Sequence, residues 1–513
     1  MGLKVDGVVP HRAARCAVST GSAALLPPGS AGRPKEGPMS LRAPGAVLLV
    51  SCYELGHQPL SVALPAAFLK RAGFAPAVMD IAVQRLDEAQ IAAAQLIAIS
   101  VPMHTALRLG TRLAQRAKAI NPHASICFYG LYAVLNAEYL LAHGADYCIG
   151  GEVEVPLVAL AEALDAYLAQ RTADPHGNGH APRVDVEGII QRGQPARPYI
   201  ARLPFAVPDR ESLPVLDHYA RLEHNGARLL TGYVEASRGC LHLCTHCPIP
   251  PVYGGRFVII PRDVVLEDIR RQVAAGARHI TFGDPDFLNG PKHALAVARA
   301  LHAAFPEVTF DITTKVEHIL HRGEILPELG RLGCLFAVSA VESVSDRVLS
   351  ILEKNHTRAE FIRAIEVLRA AGIAPRPTWV AFTPWTTRDD YLDMLSLIEQ
   401  LDLVDHVDPV QYTIRLLIPP GSYLLRRPEL QPYLGELDQE AFSYRWAHPD
   451  PHMDQLQRQV SRLVEQDVTA GVDPVETFYR VWALASGGDP DRATVPARTR
   501  HAPAPRLSEP WFC

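Results

Sequence analysis

From Val47 the chain alternates short apolar runs with longer amphipathic ones, and it does so in two separate series. The first sets "AVLLVS", "PAVMDI", "QLIAISVPM", "SICFYG" and "DYCIGG" against "PLSVALPAAFLKRAGF", "ALRLGTRLAQRAKAINP", "AVLNAEYLLAHGA" and "EVPLVALAEALDAYLAQ". Strand-length runs that are apolar throughout, separated by helical stretches, are βαβ units around a parallel sheet buried on both faces. A doubly wound, Rossmann-like α/β domain is therefore expected over residues 44–168. The glycines of "FYG" and "IGG" fall at strand C-termini, the edge where open α/β sheets take ligands. Ordinary turn glycines would look the same.

The second series begins at "GYVEAS" and runs through "HITFGD", "TFDITT", "LFAVSA", "PTWVAF" and "PVQYTIRLL", again with helices between. Six such repeats predict a partial TIM-type (β/α)6 barrel over residues 229–428, with its chemistry at the C-terminal ends of the strands. "RTADPHGNGHAP" and the Pro-rich stretch after it, residues 169–228, read as a surface loop and a linker wrapping between the domains. Residues 429–513 form an extension with a helix at "MDQLQRQVSRLVEQDV" and a flexible tail. The first 43 residues, rich in Gly, Pro, Ala, Ser and Arg, have no periodicity and read as a disordered tail, with Met39 a candidate initiator.

Composition excludes several functions. A formal charge of −5 leaves no basic footprint, so nucleic acid is not an expected partner. No apolar run reaches the ~18 residues that a membrane-spanning helix needs. Nine scattered cysteines in 513 residues are not a disulfide framework and fit a cytoplasmic location.

Three of those cysteines are clustered. "CLHLCTHC" spaces Cys240, Cys244 and Cys247 as Cys-x3-Cys-x2-Cys, in the loop after the first barrel strand. Thiolates suit iron–sulfur clusters and zinc. Three of them leave one iron of a [4Fe–4S] cluster without a protein ligand, an open position for substrate or cofactor. The competing reading completes a structural Cys3His zinc site with His242 or His246.

This spacing, after strand one of such a barrel, closely resembles the radical S-adenosylmethionine (SAM) superfamily. The resemblance implies that Cys240, Cys244 and Cys247 ligate a [4Fe–4S] cluster and that the fourth iron chelates SAM. Reductive cleavage of SAM then yields a 5′-deoxyadenosyl radical, with electrons from an external flavodoxin- or ferredoxin-type reductant. The family usually has an aromatic residue before the third cysteine, where this chain has His246. "FGDPDFLN" stands where the family's glycine-rich motif meets the SAM amino group, which implicates Gly283 and Asp284; Asp284 and Asp286 could equally cap the next helix. "SAVES" resembles the ribose-contacting segment, with Ser339 and Glu342 as hydroxyl partners. Arg415 is a candidate for the SAM carboxylate, or else half of a structural ion pair.

A doubly wound domain ahead of such a barrel resembles the cobalamin-binding domain of B12-dependent radical SAM enzymes, which implies methyl transfer to an unactivated carbon of a small molecule or peptide. The Asp-x-His-x-x-Gly signature is missing; His57 in "SCYELGHQP" is out of context for it, and His104 in "SVPMHTALRLG" is the candidate on the cobalamin side. The wider pattern down to "EPWFC" resembles the CUAEP/CCAEP-tail radical SAM group, which ends in a Cys-Cys or Cys-selenocysteine pair followed by Ala-Glu-Pro. That resemblance makes Cys513 a candidate redox residue and suggests a selenocysteine codon read as a stop. Two other functions remain open: a zinc-binding interaction protein with a nucleotide-binding α/β domain, and an iron–sulfur methylthiotransferase. The latter usually adds a second cysteine set and an RNA-binding module, neither of which is visible here.

Overall fold

The computed structural model describes residues 40–173, 182–496 and 503–509. The expected tail up to residue 39 and the terminal Cys513 lie outside the described residues. Strands β1 (Val47–Ser51), β2 (Ala77–Asp80), β3 (Leu96–Ser100), β4 (Ser125–Tyr129), β5 (Tyr147–Ile149) and β6 (Ile189–Ile190) form one sheet in the order β2-β1-β3-β4-β5-β6. Only the β5–β6 pair is antiparallel. Successive side chains enter two different cores. Leu48, Val50, Ile97 and Ile99 pack with Leu107 and Leu113 of helix His104–Ile120 on one face. Val47, Leu49, Leu96 and Ala98 pack with helices Leu60–Arg71 and Glu154–Ala173 on the other. Burial on both faces is why these strands are apolar at every position. The strand order reverses between β1 and β3, the switch point where such sheets open a crevice.

The second sheet opens with a hairpin. Strands β7 (Arg221–His224) and β8 (Ala227–Val234) pair antiparallel around Asn225 and Gly226, both at positive φ. Asn-Gly is a strong signal for this two-residue turn, so the first barrel strand begins at Ala227, inside what the sequence reading assigned to the linker. Strands β9 (Ser237–Gly239) and β10 (Phe257–Ile259) then pair antiparallel and bracket the cysteine loop. Strands β11 (His279–Phe282), β12 (Thr309–Thr314), β13 (Cys334–Glu342) and β14 (Ala374–Trp379) continue the parallel array from β8 as a curled half-barrel.

The expected sixth strand is reduced to one parallel bridge, Phe382 to Arg415. Pro409 has no N–H for a ladder and opens a 3-10 turn, Pro409–Tyr412. The Gln411 side chain, rather than a strand carbonyl, accepts the Trp379 N–H at 2.8 Å.

Beyond the barrel come a hairpin, β15 (Leu434–Asp438) and β16 (Ser443–Trp446), and the expected helix, Pro451–Ala470. A second helix, Pro474–Ala485, was not anticipated; it packs Phe478, Tyr479 and Val481 into the barrel core. Asp473 caps it and Pro474 occupies its first turn, a start signal legible in the sequence. Within the expected flexible tail, β17 (Arg506–Leu507) pairs antiparallel with β7, and Arg506 bonds Glu223. Among the described residues no helix is long and apolar enough to cross a membrane.

The linker wraps between the domains as expected. Its buried Arg210 bonds the Gln58 carbonyl of the first domain at 3.1 Å, the Tyr233 carbonyl of β8 at 2.7 Å, and Asp268 of helix Arg262–Ala274.

Candidate active site

The C-terminal ends of the two sheets face each other across a cavity of about 410 Å³. Glu54, His57, Ser100, Met103, Gly130 and Gly151 line it from the first domain. Tyr233, Arg238, Thr281, Gly283, Asp284 and Asp311 line it from the barrel. Gly130 and Gly151, which the sequence singled out, both stand at positive φ. Gly151 has a further constraint, because a Cβ there would lie 2.2 Å from the Tyr199 carbonyl oxygen.

The cysteine loop leaves the barrel beside this cavity, whose wall includes Gly239 at its root. Cys240, Cys244 and Cys247 are free thiols, two of them buried. Burial pushes the Cys247 thiol up to about 12, reinforced by Cys244 and Cys240. A thiol that burial keeps protonated is relieved by binding metal, which displaces the proton. Sulfurs around one tetrahedral zinc ion would be ~3.8 Å apart. Among the described residues, however, the set of three ligand atoms within 4.8 Å of one another is His242, Asp286 and His318, and no cysteine belongs to it.

Neither histidine completes a Cys3His set. His242 Nε2 lies 3.3 Å from Asp286 Oδ2, and His246 Nε2 lies 3.2 Å from Glu342 Oε1. His246 therefore ties the loop to a carboxylate at the end of β13, whereas His242 faces Asp286 without a hydrogen bond of acceptable geometry. Burial opposes charge on Glu342, but Lys354, at 3.1 Å, and His246 hold its carboxyl well below the usual range. Glu342 also sits at φ 71°, beside a register shift in β13. Strain of that kind persists only where surroundings over-determine it.

The other sequence-derived residues separate into groups. Gly283 lines the cavity under Tyr233, whose Oη would be 1.9 Å from a Cβ at that position. Asp284 lines it too but caps no helix. Its carboxylate accepts the Ala236 N–H at 2.8 Å and the Ser237 hydroxyl at 2.6 Å, fixing the segment that leads into the cysteines. Burial pushes this carboxyl up to about 7 against those two hydrogen bonds. Asp286 caps the short 3-10 turn Phe287–Asn289 rather than the next helix, Pro291–Ala304, whose N-cap is Gly290. Ser339 is buried with its hydroxyl unpartnered. Arg415 is not in the cavity wall; it bonds Asp454 at 2.6 Å and stacks 3.4 Å over Trp446. His104 is likewise outside it, with Nε2 2.6 Å from the Ala441 carbonyl oxygen.

Sequence reasoning overlooked Arg238, which immediately precedes the cysteine loop. Its guanidinium reaches Glu235, Glu152 and Glu154, joining the barrel to the first domain. Glu54 was also passed over; it caps helix Leu60–Arg71 through Leu60 and Ser61, and burial pushes its carboxyl up to about 7. His57, set aside as out of context, is the one histidine in the wall among the described residues, stacked on Tyr233 at 4.5 Å. Burial lowers its pKa to about 4, leaving a neutral ring. His318 follows β12, and that position at a barrel strand's C-terminal end was the available signal.

The family model of the radical SAM superfamily matches residues 234–398, and that of the B12 binding domain matches residues 46–161. Among curated proteins, a tRNA-2-methylthio-N(6)-dimethylallyladenosine synthase of Desulfosudis oleivorans is 29% identical over 207 residues, 38% of this chain and 43% of the relative. A putative methylthiotransferase of Methanocaldococcus jannaschii is 24% identical over 200 residues, 36% of this chain and 42% of the relative. The chain thus spans less than half the length of either. Among solved structures, the cobalamin-dependent SAM radical enzyme OxsB with aqua-cobalamin and SAM bound has a TM-score of 0.62 at 15% identity, over 82% of this chain and 67% of that one. The radical SAM methyltransferase TsrM from Kitasatospora setae, with tryptophan and a SAM analog bound, has a TM-score of 0.58 at 14% identity, over 86% and 96%. At these identities the likeness is one of fold.

Proposed function

Taking as premise that this chain is an enzyme of the radical SAM superfamily with a B12-binding domain, we propose that it transfers a methyl group, carried by cobalamin, to an unactivated carbon of a small molecule or peptide. The observation that carries this reading is the single cavity walled by the C-terminal ends of both sheets. Cys240, Cys244 and Cys247 would hold the [4Fe–4S] cluster, and the crevice beyond β1 and β3 would hold the corrin. When bound, these groups supply a 5′-deoxyadenosyl radical from SAM and a transferable methyl.

The chain's own residues bind and orient. Gly283 leaves Tyr233 room to stand in the cavity wall. Glu54, whose carboxyl burial pushes up to about 7, is a first-domain group able to exchange a proton with a bound molecule, and the neutral His57 ring offers a hydrogen bond beside it. His104 and Arg415 already have protein partners, so the cobalamin and SAM-carboxylate roles considered for them belong to other residues in this reading. The reductant is a flavodoxin- or ferredoxin-type protein, and the cytoplasm is the compartment that keeps the thiols reduced. The tRNA named for the Desulfosudis oleivorans relative stays with it, and a net charge of −5 gives no overall attraction to phosphate.

The likeness to the CUAEP/CCAEP-tail group gains support from the path of the C-terminal segment. Ser508 bonds Arg221, and Glu509 reaches Tyr53 at 3.2 Å and packs on Gly56, beside the cavity-lining Glu54 and His57. The described C-terminal residues thus end beside the cavity wall.

The test is EPR of anaerobically purified, dithionite-reduced protein with and without SAM, together with its absorption spectrum after incubation with cobalamin. A [4Fe–4S]+ signal that shifts with SAM, and a corrin band retained through desalting, are expected. A colourless protein containing zinc defeats the cluster assignment. A cluster without retained corrin defeats the methyl-carrier reading alone.

A further inference from the structure

The two histidines of the cysteine loop end in different chemistry. His246 meets Glu342, whose charge is already matched by Lys354. His242 instead joins Asp286, beyond β11, and His318, beyond β12, to bring three ligand atoms within 4.8 Å of one another. Its Nε2 lies 3.3 Å from Asp286 Oδ2, and His318 Nδ1 lies 2.8 Å from the same oxygen. Those are hydrogen-bond lengths, yet all three atoms are buried with no hydrogen-bond partner of acceptable geometry. Buried polar atoms are nearly always paired, so three of them facing one another unpaired point to a missing common partner.

The surroundings prepare these atoms to bind a cation. Asp286 is fully buried, and its other oxygen is fixed by the Leu288 N–H at 3.0 Å and the Thr314 hydroxyl at 2.9 Å, which aims Oδ2 at the two rings. Glu317 Oε2 lies 3.5 Å from His242 Nδ1. That oxygen, which also accepts from Lys315 Nζ at 3.2 Å, faces the ring from the side away from Asp286, where an outer-shell partner of a ligating histidine stands. Ligands bound to one ion at ~2.0–2.2 Å stand ~3.0–3.5 Å apart, close to the two separations from Asp286 Oδ2. Two imidazoles and a carboxylate suit zinc and its first-row neighbours rather than calcium or magnesium.

We propose that His242, Asp286 and His318 hold a divalent first-row transition metal ion, separate from the cysteine-ligated cofactor, which clamps the cysteine loop to the ends of β11 and β12. The site stands or falls independently of methyl transfer.

The experiment uses the full chain with Cys240→Ala, Cys244→Ala and Cys247→Ala, so that no loop thiol competes, titrated anaerobically with Co2+ and followed by visible d–d absorption and calorimetry. One equivalent should bind and be displaced by Zn2+. Adding Asp286→Asn should weaken binding by more than the ~10–100-fold that loss of an outer partner costs, and Glu317→Gln should fall within that range. Absence of Co2+ binding, or equal binding with Asp286→Asn, would mean that the aspartate merely bridges two histidines and overturns the proposal. Should the triple variant fail to fold by circular dichroism, the cluster-loaded wild type is exposed to Zn2+ and desalted. One zinc per chain, lost with His318→Gln, is then expected; no retained zinc, or zinc unaffected by His318→Gln, overturns the proposal.

Discussion

Replacing Arg238 with methionine probes the junction that builds the cavity. Arg238 Nη1 lies 3.2 Å from Glu152 Oε2 and 2.8 Å from Glu154 Oε1, and both glutamates are almost fully buried. Methionine removes the cation and leaves two carboxylates that can stay buried only by taking up protons. Glu152 is already close to doing so, since burial lifts it from an ordinary 4.5 to about 7 against the attraction of Arg238. Breaking a buried pair by removing one partner typically costs ~3–5 kcal/mol, and Arg238 serves two buried carboxylates. Its loss lifts Glu152 further above about 7, so this group adds to the loss at pH 7.5 and adds little at pH 5.5, where it is already protonated in the wild type. The sign follows from proton uptake: a raised folded-state pKa contributes stability below about pH 4.5 that is lost as pH rises. Urea unfolding of cofactor-free protein should therefore show a loss of ~3–5 kcal/mol at pH 7.5 that is smaller at pH 5.5. Adding Glu152→Gln and Glu154→Gln should recover most of it at both. An equal loss at the two pH values, or no recovery in the triple variant, would refute the reasoning.

Gly283→Ala places a methyl 1.9 Å from Tyr233 Oη and must swing that ring. It should cost ~1–3 kcal/mol of stability and weaken SAM binding about tenfold by calorimetry, and an unmoved Tyr233 in the variant's structure would count against it. Burial raises Glu54 to about 7, Asp80 to about 6 and Asp284 to about 7, so the stability tied to their protons is present below about pH 4 and lost as pH climbs through 6 to 7. Glu54→Gln should flatten the fall in melting temperature between pH 5 and 7.5, and an unchanged slope sinks the assignment. Arg210→Ala breaks a buried pair with Asp268 and frees the Gln58 and Tyr233 carbonyls. A loss of ~3–5 kcal/mol and faster tryptic cleavage of the linker are expected, and wild-type protease resistance would contradict them.

What could be read from the sequence was what has local physical causes. Apolar strand runs, helical periodicity and their alternation are short-range properties, so both βα series and their order emerged without coordinates. The cysteine spacing is equally local, since one loop supplies all three thiols. The errors came from signals that were present but unused, such as Asn225–Gly226 for the β7–β8 hairpin and Asp473–Pro474 for the last helix. Pro409 should have demoted the sixth strand.

Only the tertiary structure could decide which side chains meet. Asp284 was read as a cofactor contact and is held by Ala236 and Ser237; Arg415 was read in the same way and pairs with Asp454. His57 looked misplaced in its motif yet stands in the cavity wall, because the linker docks the first domain onto β8 through Arg210. His242 in the cysteine loop, Asp286 in the turn after β11 and His318 on helix Val316–His321 after β12 converge only when parallel strands align their C-terminal ends. Periodicity reports whether a residue faces a core or solvent. It carries no information about the partner opposite, which depends on strand register and domain docking across long sequence separations.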